Sequence, residues 1–545
     1  MRNAIVFRAG RLIQETRVVD GSTTTYDLTY TYDQLGNRQT KIDTVSGQWV
    51  VYDYDVDLAD PNELEFPTWH NRLLEYRMYD RDPNDPNTIL LRTVSYTYYK
   101  TGQASNITVK DEDPNGTGDL EEIDYSDSTP DVDFSYSRDG QYDEITDAVG
   151  TRTFTYDSYG KRQYETFDPN DIFGNKQITT DYSYQVGYGD PVGMPPSQPL
   201  FSFRGLANIG ISPSGTSYQD YRAEYSYDNE TQRVEKVSRH VVTNDGVEYT
   251  YRSDAHLIDH YDFKSGANVL ASVHYSYESD RDLITEVRNI WGDDPNDPNN
   301  IVSKYTYAYD NLGRASSVVR QGDASFGAFA NDHYDAYSYN NRNERTKARR
   351  YNNTSPPSTT NEDSSYHRQF VFDNAGNWDW FKPGSDPNTP YIPNALNLYA
   401  SINDPSDPET PTESFTYDED ENLTEDGSFE YTYDAENRLV EVLPAEDDPN
   451  NLTADDRKLV STYDYLNRRV RKLVYAWDPN EGESGDWSST AELDLRFIYH
   501  ERLLLLELDG LDSNAKVRKH VWGPGTDGRP GGPPFARRRM KAPFV

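Results

Sequence analysis

A short tyrosine–aspartate motif returns along most of the 545-residue chain and restricts its fold more than any other feature of the sequence. One copy reads Tyr30-Thr31-Tyr32-Asp33-Gln34-Leu35-Gly36-Asn37-Arg38, and regular self-similarity of this kind is typical of repeat architectures. The signature residues of the seven clear copies are Tyr30, Tyr32, Asp33 and Gly36; Tyr156, Asp157 and Gly160; Tyr227 and Asp228; Tyr309, Asp310 and Gly313; Asp373 and Gly376; Tyr417 and Asp418; and Tyr433, Asp434, Asn437, Arg438 and Leu439. Weaker copies begin at Tyr96, Phe134, Tyr249, Tyr275, Tyr337 and Ser461.

The motif predicts a β-hairpin. Tyr30 and Tyr32 are two residues apart, so on a strand their side chains point to the same face of the sheet. Asp33 can accept hydrogen bonds from the backbone ahead of it and start a turn, and Gly36 can adopt a positive φ without a steric cost. In the last copy the chain leaves the turn as residues 437–442, in which polar and apolar side chains alternate. A single hairpin is marginally stable, so we expect the units to stack side by side.

Composition alone would favour disorder. Leu, Ile, Val and Phe make up about 18% of the residues, below the roughly 20% at which a highly charged chain is usually disordered. The 45 tyrosines argue against that interpretation, because disordered chains are poor in aromatic residues. A sheet with two wet faces and a thin core needs few aliphatic side chains and many amphipathic rings, which accounts for both observations.

Charge and residue usage exclude several classes of function. The 53 Lys and Arg against 93 Asp and Glu give a formal charge of −40, which disfavours nucleic acid and anionic membranes as partners. The chain has no Cys, so disulfides, thiolate metal sites and Cys nucleophiles are excluded. No apolar run approaches the roughly 18 residues of a membrane-spanning helix, so we expect no membrane insertion. The N-terminal residues show no signal peptide.

The copies quoted above resemble the YD-repeat, or RHS-repeat, family, whose pattern is close to aromatic-x-Tyr-Asp-x-x-Gly-Asn/Arg-Leu. Residues 394–399, 496–499, 504–510 and 521–523 also look like elements of these proteins, and the resemblance covers about residues 26–525. It implies an all-β fold in which consecutive antiparallel hairpins form one long coiled sheet. It further implies that this sheet winds into a spiral, hollow shell, complete or incomplete.

The resemblance implies a non-catalytic structural role, as the shell or scaffold region of a protein related to toxin-encapsulating or cell-surface proteins. The expected partners are a protein cargo, neighbouring repeat segments of a larger protein, or a glycan, and the expected location is extracellular or at the cell surface. Family shells can end in an aspartyl self-cleaving segment followed by a toxic domain. Nothing after Trp522 resembles either, so neither activity is carried over to this chain. A carbohydrate-binding adhesion module and a truncated remnant of a longer gene remain alternatives.

Composition divides the chain into five parts. Residues 1–25 form an initial segment, residues 26–185 a first repeat block, and residues 218–525 a second repeat block. Residues 186–217 are rich in Gly, Pro and Ser and are predicted to be a linker or long loop. Residues 526–545 are basic and rich in Pro, Gly and Arg, which predicts a disordered tail.

No motif points to a catalytic, cofactor or metal site. Residues 523–528 match G-x-G-x-x-G, but the prolines that follow prevent the helix that a dinucleotide site requires. His500-Glu501 begins like H-E-x-x-H, but position 504 is Leu. The acidic run 418–421 is typical of an exposed turn, without the burial that general acid–base work requires. Asp-Pro-Asn triplets are predicted to mark loop tips, with calcium binding left open, and they begin at Asp60, Asp82, Asp85, Asp113, Asp168, Asp294, Asp297, Asp386, Asp448 and Asp478.

Overall fold

The computed structural model describes residues 2–534 apart from several gaps. The gaps are 9–10, 20–22, 34, 55–71, 100, 102, 112–131, 170–177, 189–201, 214–222, 229–230, 232, 240–244, 323–331, 355–360, 385, 395–396, 419–420, 435, 446–450, 482–484 and 525–529. The regular structure of the described residues is almost entirely β-strand, with one 3-10 helix at Pro298–Asn300. None of the helical structure described in the chain has the length and apolar character needed to cross a bilayer.

The first sheet has 29 strands. They are β1 (Arg2–Arg8), β2 (Arg11–Val19), β3 (Thr23–Tyr32), β4 (Arg38–Asp43), β5 (Trp49–Tyr54), β6 (Leu73–Tyr79), β7 (Leu90–Tyr98), β8 (Ala104–Asp111), β9 (Val132–Tyr136), β10 (Tyr142–Asp147), β11 (Gly150–Tyr156), β12 (Arg162–Pro169), β13 (Ile178–Tyr188), β14 (Ser202–Pro213), β15 (Ala223–Tyr227), β16 (Val234–Arg239), β17 (Gly246–Tyr251), β18 (Ile258–Ser265), β19 (Asn268–Tyr277), β20 (Ile284–Trp291), β21 (Ile301–Tyr309), β22 (Ala315–Gly322), β23 (His333–Tyr339), β24 (Arg345–Asn352), β25 (Glu362–Phe372), β26 (Trp378–Pro383), β27 (Thr389–Pro393), β28 (Tyr399–Asp404) and β29 (Asp407–Ser414).

Twelve further strands follow. A 10-stranded sheet contains β30 (Thr416–Tyr417), β31 (Leu423–Glu425), β32 (Phe429–Tyr433), β33 (Leu439–Pro444), β34 (Arg457–Tyr463), β35 (Arg469–Asp478), β36 (Asp486–Trp487), β37 (Leu493–His500), β38 (Leu503–Asp509) and β39 (Ala515–Lys519). A two-stranded sheet contains β40 (Trp522–Pro524) and β41 (Pro530–Pro534).

Each strand of the first sheet pairs antiparallel with the next strand along the chain, from β1 to β29. The second sheet follows the same rule, except that β36 lies beside β35 and β37 takes the next place. Ser414 pairs with Ser401, and the Phe415 amide donates to the Ala400 carbonyl at 3.0 Å, so the pairing continues from β29 into β30. The all-β architecture of consecutive antiparallel hairpins is therefore confirmed.

Tyrosine rings lie beside each other on neighbouring strands of this ribbon. Tyr249, Tyr261 and Tyr275 belong to β17, β18 and β19, and successive ring centroids are 5.7 and 6.2 Å apart. Tyr52 and Tyr76 are register partners on β5 and β6, with centroids 6.0 Å apart. Aromatic pairs at such distances stabilise a sheet beyond the area that they bury.

The second aromatic residue of the motif also bonds to the preceding hairpin through its hydroxyl group. Tyr339 Oη donates to the carbonyl of Ala315, the first residue of β22, at 2.8 Å. The same bond, at 2.6–2.9 Å, joins Tyr32 to Leu12, Tyr98 to Leu73, Tyr156 to Tyr142, Tyr251 to Val234, Tyr277 to Ile258, Tyr309 to Ile284, Tyr417 to Tyr399, Tyr463 to Leu439 and Tyr499 to Arg469. In nearly every case the acceptor begins a strand, so successive hairpins are joined at equivalent points.

Residues about 300 positions apart in the sequence meet in three places. The Tyr465 amide donates to Asp147 Oδ2 at 3.0 Å, His500 Nδ1 lies 3.1 Å from Tyr182 Oη, and Tyr225 Oη donates to the Trp522 carbonyl at 3.1 Å. In strand terms, β10 meets the turn after β34, β13 meets β37, and β15 meets β40. The contacting elements therefore follow the same chain order in the earlier strands, β10 to β15, as in the later ones, β34 to β40.

This order shows how the ribbon winds. A ribbon that folded straight back would meet its earlier strands in reverse order. Here the later strands pass the earlier ones in the same order, which is the behaviour of a spiral. One turn takes about 24 strands, since β10 and β34 are 24 strands apart and so are β13 and β37.

Aliphatic side chains are concentrated where the two windings meet. The larger of the two buried clusters among the described residues contains Val149, Ile178, Tyr182, Ala223, Tyr225, Tyr227, Val234, Val237, Val247, Tyr249, Val470, Ile498, Leu505, Leu506, Leu508 and Val521. In the smaller cluster, Tyr465 of the later winding packs against Val132, Ile145 and Phe154 of the earlier one. The predicted thin core therefore thickens at the contact between windings.

Three sequence predictions differ from the structure. Within the predicted linker 186–217, Ser202–Pro213 form β14, which pairs with β13 over its whole length and with β15. Within the predicted tail 526–545, Pro530–Pro534 form β41. In β14, glycine keeps both backbone hydrogen-bonding groups, so a partner strand on each side outweighs the local preference of Gly-rich sequence for loops. Asp168 of one Asp-Pro-Asn triplet lies inside β12 rather than at a loop tip.

Replacing Tyr309 by Phe tests the hydroxyl bond between hairpins. Tyr309 Oη donates to the Ile284 carbonyl at 2.6 Å, and its loss should lower the free energy of unfolding by about 1 kcal/mol. Tyr366→Phe is the control, because the ring of Tyr366 is exposed and its hydroxyl has no hydrogen-bond partner among the described residues. Urea denaturation followed by tryptophan fluorescence measures both; equal midpoints for the two variants would contradict the role assigned to the hydroxyl.

Candidate functional site

The motif turn is built around its aspartate. In the copy at Asp310, the Asp310 amide donates to the Arg314 carbonyl at 2.9 Å, and the Gly313 amide donates to the Asp310 carbonyl at 3.0 Å. Asp310 Oδ1 accepts from the amides of Leu312 and Arg314 at 2.9 and 3.0 Å. Desolvation opposes ionisation of Asp310, but these bonds and the Arg314 side chain outweigh it and lower the pKa of this carboxyl. The carboxylate is therefore committed to shaping the turn.

The fourth position of the turn requires a left-handed backbone. Gly313 has a φ of 79°, and Asn437 and Asn467 fill the same position with φ of 59° and 58°. A residue in this conformation after a tight turn produces a bulge, and the register shifts by one residue between Ala308 and Tyr309. Asn tolerates this region better than other non-Gly residues, which explains why the motif accepts either residue.

Successive turns contact each other along one edge of the ribbon. Arg314 Nη1 donates to the Asn340 carbonyl and to Asn343 Oδ1, at 3.3 and 2.7 Å. Equivalent contacts join Gln141 to Gly160, Arg281 to Asp310, Arg342 to Asp373, Asn377 to Asn397, and Arg438 to Asp464. The linking residue follows the left-handed position in the copies with Gln141, Arg314, Asn377 and Arg438, whereas Arg281 and Arg342 reach the next turn from other positions.

The structure places every signature residue in a hairpin end. The tyrosines lie on strands: Tyr30 and Tyr32 on β3, Tyr156 on β11, Tyr227 on β15, Tyr309 on β21, Tyr417 on β30 and Tyr433 on β32. The turns begin at Asp33, Asp157, Asp228, Asp310, Asp373, Asp418 and Asp434, and the left-handed positions are Gly36, Gly160, Gly313, Gly376 and Asn437. Arg438 ends its turn with its Nε 2.6 Å from Asp434 Oδ2, and Leu439 begins β33. These residues form a repeated structural edge rather than one localised site.

The two windings are joined by a buried chain of charges, which we call the winding seam (Asp147, Arg152, Asp464 and Arg468). Arg152 Nη1 lies 3.1 Å from Asp147 Oδ2, and Arg152 Nη2 lies 3.2 Å from Asp464 Oδ2. Arg468 Nη2 lies 2.6 Å from Asp464 Oδ2. The side chains of Arg152, Asp147 and Asp464 are only 3%, 2% and 0% exposed. Burial raises the pKa of Asp147, and Arg152 opposes that shift.

A second polar chain crosses between the windings beside the seam. Tyr182 Oη donates to Glu165 Oε2 at 3.3 Å, which leaves the Tyr182 oxygen to accept from His500 Nδ1 at 3.1 Å. Arg162 Nη1 lies 3.0 Å from Glu165 Oε2. Burial lowers the pKa of His500, which favours the neutral imidazole. Tyr182 thus connects Glu165 on the adjacent strand with His500 on the opposite winding.

An open cleft of about 340 Å³ lies beside the seam, lined by Arg162, Glu165, Tyr465, Leu466, Arg468, Glu501, Arg502 and Leu503. Arg162 and Arg468 in this lining are paired with carboxylates. No group of three or more His, Cys, Asp or Glu side chains in the described part of the chain could hold a metal ion. The arrangement is therefore suited to holding two windings together.

The described Asp-Pro-Asn triplets form exposed turns in most cases. Asp82, Asp85, Asp294, Asp297 and Asp478 each accept a bond at 2.9 Å from the amide of the Asn two residues later. Asp386 also lies in a turn, where its amide donates to the Pro383 carbonyl. The triplets at Asp60, Asp113 and Asp448 lie outside the described residues.

Comparison with known proteins finds similar solved structures at low sequence identity. No protein-family model and no curated protein sequence matches the chain. The chain is similar to the Tc holotoxin pore of Photorhabdus luminescens with a mutated TccC3, with a TM-score of 0.47 and 14% identity, over 94% of this chain and 24% of that one. The chain is also similar to TcdB2–TccC3 without its hypervariable C-terminal region. That comparison has a TM-score of 0.47 and 13% identity, over 98% of this chain and 25% of that one. The chain thus spans about a quarter of the length of these chains.

Substitutions at Gly313 test the left-handed turn position. The position has ordinary space for a methyl group, with Leu283 Cδ1 at 3.7 Å as the nearest atom, so the cost of Gly313→Ala comes from the backbone conformation alone. We expect this variant to lose about 1 kcal/mol of stability, and Gly313→Asn to lose distinctly less. Urea denaturation measures both variants. An alanine variant as stable as the asparagine variant would refute this account of the turn.

Replacing Asp464 by Asn tests the winding seam. The variant leaves Arg152 and Arg468 buried without their shared carboxylate, and we expect a loss of about 3–5 kcal/mol in the free energy of unfolding. Asp254→Asn is the matched control, because Asp254 pairs with Arg252 at the surface, with its side chain 63% exposed. That change should alter stability by less than about 1 kcal/mol. If denaturation gives the same stability for both variants, the seam does not hold the windings together.

Proposed function

We propose that this chain is a non-catalytic wall section of a hollow protein shell that encloses a protein cargo. The observation that carries the proposal is the spiral order of contacts, in which Asp147 of one winding meets Tyr465 of the next after 24 strands. A chain whose strands return to an earlier part of the same ribbon in this way surrounds a space. The YD-repeat resemblance of the motif implies the same architecture.

The length of one turn supports an interior that side chains do not fill. Neighbouring strands lie about 4.8 Å apart, so 24 strands extend about 115 Å along the ribbon. A circle of that perimeter is about 37 Å across. Barrels of about 8 strands are filled by their own side chains, whereas barrels of 16–18 strands leave an aqueous channel. A turn of 24 strands therefore favours an interior wide enough for a polypeptide.

The chemistry of the described residues supports a structural role over a catalytic one. The seam carboxylates Asp147 and Asp464 are both bound by Arg152, and the motif carboxylates are bound by their own turns. We also propose that neighbouring repeat segments of a larger protein stack on this ribbon through the same kind of contact, edge against edge. The carbohydrate-binding alternative gains no support from the described residues, because the most exposed rings, Tyr159 and Trp291, lie on separate hairpins.

Single cysteines test the enclosure directly, because the chain contains no natural Cys. Ala348 on β24 is the register partner of Tyr337, and Ser338 on β23 points to the other face of the same hairpin. Ala348→Cys and Ser338→Cys should both react with a small maleimide in the native protein. A bulky polyethylene-glycol maleimide should modify only one of the two, because one face of the wall borders the interior.

The control for this experiment opens the spiral. In the Asp464→Asn background we expect the bulky reagent to reach both cysteines, while circular dichroism still reports β structure. Equal modification of both positions by the bulky reagent in the native protein would show that neither face borders an enclosed space, and the proposed function would then fail.

A further inference from the structure

Two histidines face each other across neighbouring strands on the side of the ribbon away from the tyrosine rings. His260 on β18 is the register partner of His274 on β19. Their ring centroids are 4.9 Å apart, and the planes differ by 15°. Tyr261 and Tyr275, one residue further along each strand, belong to the aromatic ladder, so alternation places the imidazoles on the opposite face. His260 is 26% exposed at its side chain, so solvent can reach the pair.

We propose that His260 and His274 form a chelating site for a divalent transition cation of the class that prefers imidazole ligands, Cu²⁺, Ni²⁺ or Zn²⁺. Neutral imidazole nitrogens suit these ions, and affinity for a given nitrogen site is highest for Cu²⁺ within the divalent series. Register partners on antiparallel strands have their Cβ atoms about 4.5–5.5 Å apart, so two imidazoles can reach one ion. Water completes the coordination, since no larger group of ligands is present among the described residues.

Neighbouring side chains orient both rings. Asp259 Oδ2 lies 2.8 Å from His260 Nδ1, which leaves His260 Nε2 for the cation. A carboxylate on the distal nitrogen of a histidine ligand is the usual outer-shell partner in metal sites, because it fixes the tautomer and increases the basicity of the ligating nitrogen. Ser272 Oγ lies 3.1 Å from His274 Nε2 and leaves His274 Nδ1. Each ring therefore has one nitrogen held by a hydrogen bond and a second nitrogen that can bind the cation.

The electrostatic surroundings also favour a cation. Asp262 lies two residues from His260 on the same strand face and is the register partner of Ser272. Arg288 is the register partner of His274 on β20, but its guanidinium is held by Glu286 Oε1 at 2.5 Å and by the Pro295 carbonyl at 2.8 Å.

Such a site would link β18 to β19 without involving the motif turns or the winding seam. Binding to the folded ribbon alone would stabilise it by mass action. The inference is independent of the proposed enclosure, because it requires only the register of two adjacent strands.

Calorimetric titration of the untagged full-length chain with CuCl₂, NiCl₂ and ZnCl₂ at neutral pH tests the inference. We expect one saturable site, with the tightest binding for Cu²⁺. His260→Gln and His274→Gln should each raise the dissociation constant by at least tenfold, and Asp259→Asn should raise it by about tenfold, as the loss of outer-shell partners does. His256→Gln is the matched control, because His256 is an exposed imidazole in the adjacent turn and should leave binding unchanged.

The thermal midpoint gives a second readout. The metal should raise the midpoint of the native chain and of His256→Gln, but not that of the double variant His260→Gln/His274→Gln, whose midpoint without metal shows whether it folds. Absence of saturable binding to the native chain would overturn the inference. The inference would also be overturned if the double variant bound the metal as tightly as the native chain, or if His256→Gln lost the metal affinity.

Discussion

The bond from a tyrosine hydroxyl to the backbone of the preceding hairpin determines how the rest of the ribbon is arranged. In the copy at Tyr339 it reaches Ala315, where the previous return strand begins. The turn that follows Tyr339 is shaped by the side chain of Asn340, which takes the place of the motif aspartate and accepts from the amides of Arg342 and Glu344. The tyrosine hydroxyl bond and the turn that follows it together define the distance and direction from one hairpin to the next. Because the ten units joined by this bond contact their neighbours in the same way, a small rotation per hairpin accumulates into a spiral.

The contact between windings uses a different kind of interaction. The chain carries a charge of −40, so parts of the ribbon that meet must overcome mutual repulsion. Arg152 lies between Asp147 and Asp464 and is stacked on the Phe167 ring, with its Cζ 4.1 Å from the ring centroid. Around this charged chain the windings bury aliphatic side chains such as Leu506 and Val237. The few aliphatic residues of the sequence are thus used where the ribbon needs a dry core.

The local structure could be predicted from the sequence because its causes lie within a few residues. Tyr30, Tyr32, Asp33 and Gly36 are close enough along the chain for strand alternation and turn chemistry to specify a hairpin. The seam could not be predicted, because Arg152 and Asp464 are 312 residues apart. Asp464 is the aspartate of the weaker motif copy that begins at Ser461, but the motif does not indicate which distant strand its turn meets. His500 drew attention only as part of an incomplete zinc motif, and its contact with Tyr182 depends on the number of strands in one turn. The loop predicted from local propensity was also wrong for β14. This Gly-rich segment forms a strand because it pairs with both β13 and β15.

The distance between the two windings tests the central claim most directly. Spin labels on single cysteines at Thr151 and Leu466 would lie on either side of the winding seam, and dipolar spectroscopy would measure their separation. The spiral predicts a short distance, because their neighbours Arg152 and Tyr465 both contact Asp147. A ribbon that does not wind would place the labels about 110 Å apart, since 23 strands separate β11, which contains Thr151, from β34, which precedes Leu466. A separation of that order would contradict the spiral.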